Sequence, residues 1–188
     1  MPAEKSFDRR RLLQFGLAAA VTAAVPKLAL AEAPFSREIR KLSLVNLHTG
    51  EAFSDVYWEK GQYVPDAVSA ADKVLRDFRT GEVSAIDRKL FDLLDDLAAK
   101  VESKKPFQII SGYRSPRTNA MLKAKNGSHS GVATKSLHME GKAMDIRMQD
   151  VQLAHVRAAA LDMGRGGVGY YPADNFVHVD TGRVRRWG

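Results

Sequence analysis

Apolar positions along this chain follow two rhythms, one that suits strands and one that suits helices. Leu42, Leu44, Val45 and Leu47 form a mostly apolar run that stops at His48-Thr49-Gly50, and Phe53, Val56, Tyr57 and Trp58 follow it. The pair reads as a β-hairpin whose backbone reverses at Gly50. Tyr57, Trp58 and Tyr63 read as edge or core packing rather than as a ligand-facing patch. The rhythm then lengthens. Ile86, Leu90, Leu94, Leu97 and Val101 fall on one helical face, behind Ser84 and Asp87 spaced as an N-terminal cap and its acidic partner. Asp92, Asp95, Asp96 and Lys100 fall on the face expected to be solvated. Pro106 ends that helix, and residues 107–110 read as a strand.

The second half continues in short elements. A helix is predicted over 119–125, a Gly-bounded loop over 126–131, a strand over 143–148 and a helix over 152–163 that closes near Gly164. Gly166-Gly167-Val168-Gly169 reads as an approach loop into a strand, and residues 176–180 as the last strand. No repeat or low-complexity linker divides these elements. They predict a small single α+β domain, with a central antiparallel sheet and flanking helices.

The first 31 residues lie outside this pattern. Arg9, Arg10 and Arg11 precede a weakly apolar, alanine-rich stretch over 12–25, and Ala29-Leu30-Ala31 offers the small-x-small exit that a signal peptidase accepts. The stretch is short for a transmembrane helix, which needs about 20 apolar residues. Residues 1–31 are therefore expected to be a cleaved secretory signal and residues 32–188 the functional domain. Asp8-Arg9-Arg10-Arg11-Leu12-Leu13 resembles the twin-arginine signature, although Asp8 and Gln14 depart from its usual residues. This predicts a periplasmic protein with no stable membrane span after cleavage.

Composition narrows the chemistry. The 188 residues carry 29 Lys plus Arg against 22 Asp plus Glu, a formal charge of +7. Five basic and two acidic residues belong to the leader, which leaves the remainder at 24 against 20, or +4. That modest balance, together with export, points to a wall polyanion rather than nucleic acid, even though Arg183, Arg185 and Arg186 cluster near the end. Cysteine is absent, so disulfides, thiolate metal sites and a catalytic thiol are excluded.

One stretch carries candidate chemistry. In Ser136-Leu137-His138-Met139-Glu140-Gly141-Lys142-Ala143-Met144-Asp145, His138 offers an imidazole nitrogen and Asp145 a carboxylate, with Gly141 permitting the turn between them. His178, within Phe176-Val177-His178-Val179, is a third candidate. Two histidines and one carboxylate suit catalytic zinc, with water in the fourth position. Each residue also has an ordinary reading: a turn cap for Asp145, a surface imidazole for His138, and a buried ring bonded to Asp180 for His178.

Three segments in this order carry a resemblance: Ser111-Gly112-Tyr113-Arg114-Ser115, His138-x-x-Gly141-x-Ala143-x-Asp145, and Phe176-Val177-His178-Val179-Asp180. With Thr181 to Trp187 behind them, they resemble the zinc D-Ala-D-Ala carboxypeptidase and endopeptidase family, in particular its murein endopeptidase K branch, over about residues 42–187. The resemblance implies Zn2+ held by His138, Asp145 and His178, with Arg114 on the substrate and the developing oxyanion. It implies hydrolysis of cross-links or stem peptides of peptidoglycan. The general base departs from the family pattern, because Asn175 stands three residues before His178, where relatives carry Glu or Asp, and an amide cannot take up a proton comparably. Asp174 is one residue too early. Asp180 and His129 are the remaining candidates for proton transfer, and Asp180 is equally a candidate to orient the His178 ring. An endopeptidase is expected. The alternatives are a D-Ala-D-Ala or L,D-carboxypeptidase, or a zinc-containing wall-binding protein of weak activity.

Overall fold

In a computed structural model, residues 38–126 and 132–188 are described. Residues 1–31, expected to be a secretory signal, and His129 both lie outside them. The described residues build one mixed sheet of eight strands with four α-helices against it. The strands are β1 (Ile39–Asn46), β2 (Ala52–Glu59), β3 (Gln62–Tyr63), β4 (Phe107–Ser111), β5 (Ala143–Arg147), β6 (Gly167–Tyr171), β7 (Phe176–Asp180) and β8 (Arg185–Trp187). The helices are α1 (Pro65–Val74), α2 (Arg88–Lys100), α3 (Pro116–Asn126) and α4 (Leu153–Met163). Spatial order is β3-β2-β1-β4-β5-β7-β6-β8.

The predicted α+β domain is what forms, with two departures in the sheet. β1 pairs in parallel with β4, and β6 in parallel with β8, while the other neighbours are antiparallel. The first parallel pair arises because α1 and α2 intervene between β1–β3 and β4, and a crossover of that length returns the chain in the same direction. β8 was not predicted at all.

Pleat alternation fills the core. Leu42 and Leu44 of β1, Ile109 of β4, Met144 and Ile146 of β5, and Val177 and Val179 of β7 point to one side, where Leu90, Phe91, Leu94 and Leu97 of α2 meet them. Helix α2 starts later than predicted, because Asp87 itself is the N-cap, accepting from the Lys89 N–H, rather than a partner to Ser84. Two of its acids are also not solvated. Asp92 and Asp95 are buried, and Asp92 accepts from Arg40 Nη1 at 2.6 Å, Tyr57 Oη at 3.0 Å and Tyr63 Oη at 2.8 Å. The aromatics of the first hairpin therefore pack and hydrogen-bond inward, as the sequence suggested.

Candidate active site

The site forms on the sheet face opposite the core, where β5 and β7 run side by side. Asp145 lies directly across from His178 in the antiparallel register. Gly169 is the next neighbour of His178 on β6, and Trp187 is the neighbour of Gly169 on β8. One cross-strand row therefore reads Asp145, His178, Gly169, Trp187. Period-two alternation puts Asp180 on the same face as His178, and Asp180 pairs with Ala143. Small residues in these rows leave space for the functional ones.

His138 reaches the row from a short 3₁₀ turn, Leu137–Glu140, that ends at Gly141 in the left-handed region (φ 65). A Cβ on Gly141 would strike the carbonyl of Ala85, so only glycine lets this turn press against the start of α2. The loop carrying Arg114 is stitched to the same turn. Arg114 N–H donates to the His138 carbonyl at 3.1 Å, and Tyr113 N–H to the Leu75 carbonyl at 2.8 Å. Asp77 supports it from below, accepting from Ser115 N–H at 2.9 Å.

Three candidate ligand atoms converge. His138 Nε2 lies 3.2 Å from His178 Nδ1 and 3.3 Å from Asp145 Oδ1, and His178 Nδ1 lies 2.9 Å from the same carboxylate oxygen. The far nitrogen of each ring fixes its tautomer. His138 Nδ1 is 2.8 Å from the Gly112 carbonyl, which only accepts, so Nδ1 carries the proton. His178 Nε2 is 3.0 Å from Asp180 Oδ2, so Nε2 carries the proton there. The nitrogens left over, His138 Nε2 and His178 Nδ1, face each other and an anionic oxygen, so the gap calls for positive charge, from a proton or from a metal cation. That is a cation-shaped gap. Donors held about 2.0–2.1 Å from zinc in a tetrahedron stand roughly 3.3 Å apart, close to the edges of this triangle. The residues present fit a zinc ion.

The electrostatics favour positive charge in this gap. Burial works against ionisation of Asp145, yet His138 and His178 hold its carboxyl well below the usual carboxylate range. His178 is raised: burial lowers it, but hydrogen bonds to Asp145 and Asp180 prevail. Arg114 Nη2 stands 3.6 Å from Asp145 Oδ2 and 3.4 Å from Ser111 Oγ. Its Nε–H is buried and has no partner, while desolvation lowers its guanidinium below the ordinary value.

These groups open on a cleft of about 250 Å³ lined by Arg114, Ser136, His138, Asp145, Asp174 and His178, with an aromatic wall of Tyr171, Phe176 and Trp187. Tyr171 stacks on Phe176 at 4.5 Å, and Trp187 Nε1–H donates to Tyr171 Oη at 2.8 Å. Asp180 is not on this lining. It is fully buried behind His178, and its two oxygens accept from Gly167 N–H, Gly182 N–H, both Arg185 Nη groups and His178 Nε2. Asn175 sits in the β6–β7 turn with φ 55, a left-handed position that asparagine tolerates better than most residues. The same turn carries Asp174 on the cleft wall, which the sequence pattern had discounted by one residue. Glu140 pairs with Lys142 at 2.8 Å on the surface and takes no part.

A sequence profile of the peptidoglycan L,D-endopeptidase MepK family matches residues 35–187. The chain belongs to that family. Peptidoglycan L,D-endopeptidase MepK of Escherichia coli is 42% identical over 180 residues, covering 96% of this chain and 97% of that protein. The probable peptidoglycan L,D-endopeptidase MepK of Haemophilus influenzae is 35% identical over 181 residues, covering 96% of this chain and 95% of its own length. Membership in the MepK family makes the chain a peptidase, and the cleft built around His138, Asp145 and His178 is its candidate active site.

Proposed function

We propose that this protein is a zinc-dependent endopeptidase that hydrolyses an internal amide in the peptide cross-links of peptidoglycan, with the L,D selectivity for which its relatives are named. One observation carries the reading: two imidazole nitrogens, each on a ring whose other nitrogen is already bonded to an acceptor, meet a carboxylate oxygen within 3.3 Å. A zinc ion held by His138, Asp145 and His178 supplies Lewis acidity that polarises the scissile carbonyl and lowers the pKa of a water.

The chain's own residues supply the rest. Arg114, anchored beside Asp145 and lining the cleft, binds the carbonyl oxygen as negative charge gathers there. Losing one such preorganised donor costs about 10²–10³-fold in rate. Asp174, on the cleft wall, accepts the proton of the attacking water and delivers it to the departing amine nitrogen. Asp180 is the orienting partner of His178, because all of its accepting capacity is engaged away from the cleft. His129 is the second candidate donor to the leaving nitrogen. The aromatic wall narrows the access of water and so strengthens every charge interaction inside.

Defined cross-linked muropeptides, digested and weighed by mass spectrometry, test this function. An internal cut by the zinc-loaded protein is expected. Release of terminal D-alanine alone would make it a carboxypeptidase, and zinc-loaded protein that cuts nothing would make it a wall-binding protein. Residues 1–31 serve in this reading as a twin-arginine-type export signal that delivers 32–188 to the periplasm. No helix among the described residues is long and apolar enough to cross a membrane. A reporter fused to residues 1–31 should leave the cytoplasm, and retention there would remove the export reading.

A further inference from the structure

The last strand fits the sheet in an unusual way. In the parallel register Gly167 faces Arg185, and Gly169 faces Trp187. A Cβ on Gly167 would collide with Asp180 Oδ2 and Arg185 Nη1, and one on Gly169 would come within 2.6 Å of Trp187 Cε2. A small-x-small pair on β6 thus forms a slot for the large-x-large pair on β8. The slot delivers Arg185 to a single place. Its Nη1 and Nη2 grip the Asp180 carboxylate at 3.0 and 2.7 Å, and the guanidinium lies 4.9 Å over the Trp187 ring. That ring in turn stands 5.1 Å from the ring of His178.

A bidentate arginine fixes both the position and the plane of a carboxylate, which a single hydrogen bond does not. The fixed carboxylate is the one that accepts His178 Nε2–H, and that bond decides which His178 nitrogen is left bare. We propose that Arg185 is a positioning residue for the metal centre. By clamping Asp180 it holds the proton of His178 on Nε2 and aims Nδ1 at His138 Nε2 and Asp145. The inference rests on the zinc reading of that triad. It also gives β8 a task other than binding wall anions, since Arg183 and Arg186 point to solvent while Arg185 is half-buried.

The test uses the exported domain, residues 32–188, with zinc affinity measured by competition against a chromophoric chelator. Long-range ¹H–¹⁵N spectra of the metal-free protein read the His178 tautomer. Arg185→Ala is expected to weaken zinc about 10- to 100-fold, the range for losing a partner that orients a ligand, and to replace the single Nε2–H pattern of His178 with a mixture. Arg185→Lys, which keeps the charge but not the fork, should recover part of the loss. Gly167→Ala, which deletes no hydrogen-bonding group, should reproduce the defect by wedging Asp180 and Arg185 apart, and it carries the test if Arg185→Ala does not fold. Folded Arg185→Ala and Gly167→Ala proteins with unchanged zinc affinity and an unchanged His178 pattern would overturn the proposal while leaving the metal site standing. Wild-type protein that binds no zinc, or a His178→Ala variant that binds it as well as wild type, would instead remove the metal reading itself and this proposal with it.

Discussion

Asp92 and Asp145 are both buried carboxylates on or beside the central sheet, and they answer burial in opposite ways. Asp92 is surrounded by donors, the Arg40 guanidinium and the hydroxyls of Tyr57 and Tyr63. Its charge is spent inside the fold. Those hydroxyls feel it in return: burial first, and then the bond to Asp92, push the Tyr63 phenol up to about 12. Asp145 faces two imidazole nitrogens whose rings are each bonded to another acceptor, with its nearest guanidinium nitrogen 3.6 Å away. Its charge is shared with groups that can themselves hold a cation. A buried acid ringed by committed donors is architecture, whereas a buried acid that shares its space with two metal-ligating nitrogens is a candidate binding site.

Substitution should separate the two. In the proposed zinc site Asp145→Asn removes a ligand outright, so zinc affinity should fall by more than the roughly 100-fold ceiling for losing an orienting partner. Peptide hydrolysis should drop to background, with the circular dichroism spectrum kept. Asp174→Asn should lower kcat by about 10²–10⁴-fold while zinc stoichiometry stays at one. If Asp180→Asn instead abolished turnover with zinc affinity and the His178 tautomer unchanged, the proton would have to travel through Asp180. Asp92→Asn should do the reverse of Asp145→Asn. Zinc stoichiometry is retained per folded molecule, and denaturant unfolding loses about 3 kcal/mol because the buried Arg40–Asp92 ion pair is broken.

The smallest effect expected is acid sensitivity at the base of the site. Burial alone would raise the Asp77 carboxyl, but hydrogen bonds from Thr118, Ser115 and Arg79 outweigh it and hold the group down at about 2. A carboxyl depressed in the folded state stabilises fully above its unfolded value and loses that contribution as pH falls toward the folded one. Stability should therefore drop by roughly 2 kcal/mol between about pH 4 and pH 2, and Asp77→Asn should flatten the slope in that window. Urea midpoints measured at each pH would show it.

Much of this contrast was legible in the chain and part of it was not. Period-two and helical spacing place β1, β2, β4, β5, β7, α2 and α4 close to where they form, because each buries a face whose pattern is local. The spacing of His138, Gly141, Ala143 and Asp145 marks a turn feeding a strand, which is how those residues are disposed. Helix α1 was missed although Pro65 at its first turn, Asp66 beside it and Val68, Ala71 and Leu75 at helical spacing all mark it. Burial of Asp92 was not readable, since its partners come from β1, β2 and β3, far away in sequence. Strand β8 was missed for a related reason. Arg185-x-Trp187 has meaning only opposite Gly167-x-Gly169, and no single-segment pattern reveals a slot shared between two strands. Asp174 was set aside because the family pattern has its acid three residues before the last histidine, and the structure puts Asp174 on the cleft lining beside the left-handed Asn175.

Anomalous diffraction at the zinc edge, on crystals of the 32–188 domain grown with zinc, tests the central claim most directly. The result expected is one strong peak bound by His138 Nε2, an Asp145 oxygen and His178 Nδ1, at about 2.0–2.1 Å. A map with no peak at the triad, or with His178 turned to bind through Nε2 and its bond to Asp180 broken, would contradict the account.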